Sequence, residues 1–275
     1  MRLSSLALPA ILSAVVFLGA CASTPSADTL LDQSLAGPQR SEANKARDAA
    51  RHPKETLLFF GLRPDQKVIE IAPGGGWYTE VLAPVLRDKG ELYAAHYPLD
   101  GSPGEAKARG RFEDKLKANP AVYDRVKVGS MPVKAGFTDI SVPGGADMVL
   151  TFRNIHNWIE AGHFDESLKA FYAVLKPGGV LGVEEHRAPA GASLEWINAN
   201  GYVPEAYVIA HARAAGFELA GRSEVNANPK DTHEHPKGVW SLPPTFAGGD
   251  ADRASFAAIG ESDRMTLKFV KPAHH

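Results

Sequence analysis

One stretch, Lys-Val-Ile-Glu-Ile-Ala-Pro-Gly-Gly-Gly-Trp-Tyr-Thr from Lys67 to Thr79, constrains the fold more than any other. Val68 to Ile71 is a short apolar run of the kind that forms a buried strand. Ala72, Pro73, Gly74, Gly75 and Gly76 then turn the chain into a helical pattern carrying Val81, Leu82 and Leu86. A buried strand, a glycine turn and a helix start make a nucleotide site. Glycines let the backbone approach a ligand, and the free N–H groups at a helix start attract negative charge. The dinucleotide fingerprint G-x-G-x-x-G is absent from the turn.

Composition narrows the classes. The 275 residues carry a formal net charge of −2 and are 44% hydrophobic, enough for one large core. The near-neutral balance gives no support for binding nucleic acid through a basic surface. The single cysteine excludes an intrachain disulfide. That cysteine, Cys21, follows a basic start at Met1-Arg2, an apolar run from Leu3 to Leu18 too short for a secure membrane span, and the small residues Gly19 and Ala20.

From Glu70 to Gly76 the turn reads acidic-x-Ala-x-Gly-x-Gly. This resembles motif I of the class I S-adenosylmethionine-dependent methyltransferases, with Ala72 where the first glycine usually stands. The extension Gly-Gly-Gly-Trp-Tyr-Thr-Glu-Val-Leu-Ala-Pro is similar to a bacterial family of predicted methyltransferases. The resemblance implies that Gly74 and Gly76 lie under the cofactor and that Glu70 sits at the strand end and fixes the loop. Leu18-Gly19-Ala20-Cys21 resembles the lipobox of bacterial lipoproteins, which implies a signal peptide over residues 1–20 and a lipidated Cys21. Ala22 after the cysteine favours a periplasm-facing outer-membrane lipoprotein, anchored firmly by its acyl chains. Residues 21–37 are then a flexible tether and residues 38–275 the methyltransferase-like domain.

Along the chain, Arg47 and Arg51 lie one helical turn apart in the polar segment from Pro38 to Arg51, as on a solvated helix face, although helices before the first strand often cover the cofactor cleft in methyltransferases. A short helix follows from Lys54 to Phe60. Glu91 to Ala95 is a second strand, and His96 stands at its end, where class I enzymes commonly carry a carboxylate for the cofactor ribose. Gly104 to Ala118 is an amphipathic helix, and Arg125 to Val128 is a candidate third strand. Gly144 to Phe152 forms the fourth strand and leads into Arg153-Asn154-Ile155-His156-Asn157-Trp158, at the end where such sheets place ligands. The plainer reading makes Ile155 and Trp158 core and the rest a helix cap. Phe164 to Leu175 is a helix ended by Lys176-Pro177-Gly178-Gly179 before strand five, Val180 to Val183, which leads into Glu184-Glu185-His186-Arg187. Alternation sends Glu184 and His186 to one side and Glu185 to the other. A helix from Tyr202 to about Ala215, a strand starting at Gly216 and the alternating strand Arg264 to Val270 close the order.

This order is a doubly wound α/β, Rossmann-like sheet. The resemblance extends it to seven strands with the last antiparallel. It implies methyl transfer from S-adenosylmethionine to a small-molecule acceptor, with Glu70, Ala72, Gly74, Gly76, His96 and Asn154 at the cofactor. His156 and His186 are the candidates for taking a proton from the acceptor. The alternative is an exported, lipid-anchored binding protein that reuses the fold without chemistry, in which Trp77 or Tyr97 fills the adenine slot. The long connection 226–262 contains His233 and His235, which share one side if extended, but it offers no third metal ligand by spacing, and no metal site is assigned.

Overall fold

Val68 and Ile69 are fully buried and point to opposite faces of the sheet, so β1 (Lys67–Ile71) is covered on both sides. The structure, a computed structural model, describes residues 25–130, 137 and 139–273. Cys21 and the signal segment, and the terminal His274 and His275, lie outside the described residues. Before β1 come α1 (Ala27–Ala36), α2 (Glu42–Lys45), α3 (Asp48–Arg51) and α4 (Pro53–Phe60). After it run α5 (Thr79–Leu86), β2 (Glu91–His96), α6 (Pro103–Ala118), α7 (Pro120–Tyr123), β3 (Lys127–Ser130), β4 (Ala146–Phe152), α8 (Ile155–Glu160), α9 (Phe164–Val174) and β5 (Leu175–Ala188). The remainder is α10 (Leu194–Asn200), β6 (Val203–Pro204), α11 (Glu205–Ala214), β7 (Glu218–Ser223), β8 (Pro236–Val239), α12 (Arg253–Ile259) and β9 (Arg264–Val270).

The main sheet runs β3-β2-β1-β4-β5-β9-β7, with the two-residue β6 beside the far end of β5. β1 to β5 are parallel, whereas β9 is antiparallel to both β5 and β7. This is the doubly wound, Rossmann-like sheet expected, with its antiparallel closing strand. One core joins Ile69, Val149, Val183 and Leu267 to Phe171 of α9 and Ile209 of α11. The other joins Val68 and Leu150 to Leu31 of α1, Leu57 of α4 and Leu82 of α5. The chain winds to β2 and β3 on one side of β1 and to β4 on the other. That reversal opens a crevice beyond the carboxyl ends of β1 and β4.

Several boundaries differ from the sequence reading. The flexible tether does not extend to residue 37: Ser26 caps α1, Leu31 is fully buried, and the Ser34 hydroxyl donates to the carbonyl of Val81 at 2.8 Å. Its polar and small residues hide a helix whose stability comes from docking on α5. Strand three starts at Lys127 because the Val126 N–H closes a turn onto Tyr123. Strand five starts at Leu175, paired with Ala146, and a register shift across Lys176 to Gly179 precedes the pairing of Val180 with Met148. β7 starts at Glu218 and not at Gly216, since Gly216 at φ +103° and the Phe217 N–H still close the end of α11. No helix among the described residues is long and apolar enough to cross a membrane.

Candidate active site

Two adjoining cavities, of about 360 and 450 Å³, open beyond the ends of β1, β2 and β4 and share Ile71, Ala72 and Asn154 as a common wall. The glycine turn builds that wall. Ala72 adopts φ +47° and Gly74 φ +59°, left-handed conformations that bend the chain sharply out of β1. A side chain at Gly74 or Gly75 would meet nothing within 4 Å, so the backbone presents an open cradle to the first cavity. Gly76 has another task. A Cβ there would stand 3.0 Å from the Phe112 ring, and Gly76 lines neither cavity, so it admits α6 rather than a ligand.

Glu70 is buried and accepts the Thr79 hydroxyl at 2.6 Å, tying the strand end to α5 as expected. Burial pushes its carboxyl up to about 7. Asn154 donates to the Ile71 carbonyl at 3.1 Å and to the Thr151 hydroxyl at 3.3 Å, which fixes it on the wall between the cavities.

The second cavity is aromatic: His96, Tyr97 and Trp158 line it, with Ala95, Glu105 and Asn157. His96 is placed there but is not free to bind a ribose. Its Nε2 lies 3.1 Å from the Gly74 carbonyl, and its Nδ1 accepts the Tyr97 N–H at 2.8 Å, so backbone takes both nitrogens. Burial pulls its imidazole below the ordinary value, which keeps it neutral in this bracing role. A carboxylate does line this cavity, but it comes from α6 and not from the end of β2. Glu105 closes a capping box with Ser102 through Oε2 and reaches the same cavity. The sequence did contain that signal, as Ser102-Pro103-Gly104-Glu105, but only the packing of α6 shows where it points. Neither aromatic side chain named as a possible plug fills the second cavity. Tyr97 is 37% exposed at the rim, and Trp77 packs instead under the guanidiniums of Arg40 and Arg51, 5.0 and 4.8 Å from their carbons.

The first cavity is lined by Arg47, Arg51 and Arg153 together with Glu70, Trp77 and Tyr78. Here the solvated helix face expected for Arg47 and Arg51 is overturned. Arg51 is 5% exposed, and Arg47 and Arg51 both donate to Glu261, at 2.8 and 3.0 Å. Glu261 also stands 3.2 Å from Arg264, which shares Glu184 with Arg153. Tyr78 donates its hydroxyl to Glu184 at 3.0 Å. Burial and then the neighbouring arginines, Arg153 first, pull the Arg51 guanidinium down to about 9 against the opposing pull of Glu261. For Glu261 burial opposes ionisation, but Arg51, Arg264 and Arg47 override it and hold the carboxyl at about 2. Glu184 is likewise held below its ordinary value by Arg153, Arg264 and Arg51 in spite of burial. Nothing local marks this network in the sequence, because Arg47 and Glu261 are more than two hundred positions apart.

His156 and His186 meet, but behind the cavities and not in them. Their rings lie 5.4 Å apart, and His156 also faces Trp240 at 6.1 Å. Glu185 orients His156 by accepting from Nδ1 at 3.0 Å, which leaves Nε2 as the basic nitrogen. The same carboxylate accepts the N–H groups of Ile155 and His186. Alternation along β5 separates Glu184 from Glu185, as expected, but the His186 ring also meets His156, which the start of α8 holds on the Glu185 carboxylate. Burial, and then His156 and the nearby arginines, push the His186 imidazole well below its ordinary value. Ligand atoms of His156, Glu185 and His186 come within 4.8 Å of one another, the spacing of a metal-holding group, although Glu185 already accepts three hydrogen bonds. His233 and His235 do not share one extended side. His233 takes φ +65°, His235 binds Asp231 at 2.8 Å, and Asp231 also accepts the Tyr202 hydroxyl. The connection 226–262 is thus an ordered cover containing β8 and α12.

No family model and no curated protein matches the sequence. Solved structures do. The chain is similar to a SAM-dependent methyltransferase from Aquifex aeolicus, at TM-score 0.52 and 16% identity, over 89% of this chain and 98% of that one. It is similar to the N-methyltransferase NodS from Bradyrhizobium japonicum WM9 in complex with S-adenosyl-l-homocysteine, at TM-score 0.51 and 14% identity, over 90% and 98%. It is also similar to the [4+2]-cyclase SpnF, at TM-score 0.55 and 17% identity, over 91% and 97%. These likenesses establish the fold that the sequence resemblance implied. With a cyclase among them, the reaction has to be argued from the site.

Proposed function

We propose that this chain is an S-adenosylmethionine-dependent methyltransferase acting on a small-molecule acceptor. The observation that carries the reading is the pair of open cavities divided by the Ala72–Gly75 turn and Asn154. An aromatic slot with a carboxylate suits a nucleoside, and a bare glycine cradle suits the chain attached to it. Tyr97 and Trp158 offer ring surface for a purine, and Glu105 keeps Oε1 for the ribose hydroxyls. Gly74 and Gly75 leave open space on the cavity side, room for an aminocarboxylate against the turn. The cofactor supplies a sulfonium methyl, an electrophile that needs no covalent intermediate on the protein. The protein's part is then alignment and exclusion of water, worth up to about 7–11 kcal/mol of the barrier when the reacting atoms are held in line. Trp77 and Tyr78 close the first cavity on one side, and Arg47 and Arg51 cover it from the N-terminal segment. Of the two histidines, His156 has the partner of a general base, with Glu185 behind it, but it lines neither cavity, so alignment rather than proton removal carries the proposed step.

The test is calorimetric titration of the purified chain with S-adenosylmethionine and S-adenosylhomocysteine. Micromolar binding by the wild type is expected, with loss of at least tenfold in Gly75→Val. Gly75 has no left-handed backbone to strain and no neighbour to hit, so the valine fills the cradle and leaves the fold intact. A folded wild type that binds neither compound, or a Gly75→Val variant that binds as well as wild type, removes the reading.

A further inference from the structure

The first cavity carries more positive charge than its own carboxylates meet. Arg47, Arg51, Arg153 and Arg264 form one contiguous cluster, and Glu184 and Glu261 are the carboxylates bonded to it. Four guanidiniums against two carboxylates leave a formal +2, and even with Glu70 ionised in the same wall the balance stays at +1. Arg40 and Lys115, the next cations along, pair with Asp48 and Glu80 and do not enter the sum. Donors are left over as well as charge. Nη2 of Arg47 is buried with no partner among the described residues, and Arg51 bonds Glu261 through Nε alone. Arg153 is held at the end of β4 with φ +59°, a conformation costly for a side-chain-bearing residue, and it turns into the same cavity. Buried guanidiniums with unused forks match carboxylate or phosphate oxygens.

S-adenosylmethionine does not meet this demand. Its sulfonium and ammonium outweigh its one carboxylate, so it brings a further positive charge. We infer that the methyl acceptor is an anion, bearing a carboxylate or a phosphate group that seats on Arg47, Arg51 and Arg153. The inference rests on the methyltransferase reading for the word acceptor, and on the arginine cavity alone for the anion. An anionic acceptor also explains why these cations are buried next to the cofactor cradle rather than left in water: their desolvation is offset by the ligand's charge once both are in place.

The experiment titrates the purified chain with inorganic phosphate and with malonate at low ionic strength, with and without saturating S-adenosylhomocysteine, and repeats both in Arg47→Gln. Arg47 is the most exposed of the cavity arginines and the one whose loss disturbs the fold least. At least one anion is expected to bind alongside S-adenosylhomocysteine. Arg47→Gln is expected to weaken the anion fivefold or more while S-adenosylhomocysteine binds within twofold of wild type. Anions that compete with S-adenosylhomocysteine, with Arg47→Gln weakening both equally, assign the arginines to the cofactor's own carboxylate and overturn the inference. A folded chain that binds neither phosphate nor malonate overturns it too. Anion binding without S-adenosylhomocysteine binding upholds the anion site and removes the methyltransferase reading instead.

Discussion

Glu261→Gln is the most informative perturbation of the arginine network. The carboxyl is 9% exposed and touches Arg47, Arg51 and Arg264, so solvent screens it little. Its shift from an ordinary 4.5 to about 2 corresponds to about 3 kcal/mol of native-state stability, at 1.36 kcal/mol for each tenfold change. The folded value is depressed, so this stability is present in full above about 4.5 and is lost as pH falls from there to about 2. Glutamine keeps the shape and one acceptor but not the charge. Urea unfolding at pH 7, in a buffer free of multivalent anions, is therefore expected to show the variant about 3 kcal/mol less stable. The midpoint falls by about 1 M for a chain of this size. Near pH 2.5 most of that gap closes, because the carboxyl of the unfolded chain is then almost fully protonated and folding must release that proton to keep the ion pairs. A gap under about 0.5 kcal/mol at pH 7, or one of the same size at pH 7 and pH 2.5, refutes the reasoning: the first says that the charge does not hold the helices, the second that packing does.

Glu70 titrates with the opposite sign. Its folded value is raised to about 7, so the stability it contributes is full below about 4.5 and is lost as pH rises through 7, by about 3 kcal/mol. Glu70→Gln removes that slope between pH 4.5 and 7, and unfolding curves across the window check it. Ala72→Gly is expected to raise the urea midpoint by the equivalent of about 0.5–1 kcal/mol, since Ala72 sits at φ +47° where glycine carries no Cβ penalty. A lower midpoint for that variant shows that the strain is absorbed elsewhere.

The sequence by itself determined the sheet and the place of the crevice. The Lys67–Thr79 stretch, the apolar run before Arg153 and the alternation of Arg264–Val270 are local patterns. Local patterns survive into structure because strand pairing and helix docking need only an apolar face at the right period. The turn residues Ala72, Gly74 and Asn154 were legible for the same reason. Tertiary structure decided what the side chains do there. His96 looked like a ligand for a ribose and became a brace, because its strand end abuts the Gly74 carbonyl. His156 and His186 met each other behind the cavity wall because the start of α8 is bonded to Glu185, the neighbour of His186 in β5. Arg47 and Arg51 looked like a solvated helix face and became the roof of a cavity. Their partner, Glu261, arrives from the far end of the chain, and no spacing in a sequence records a pairing made only when two distant segments dock on the same sheet end.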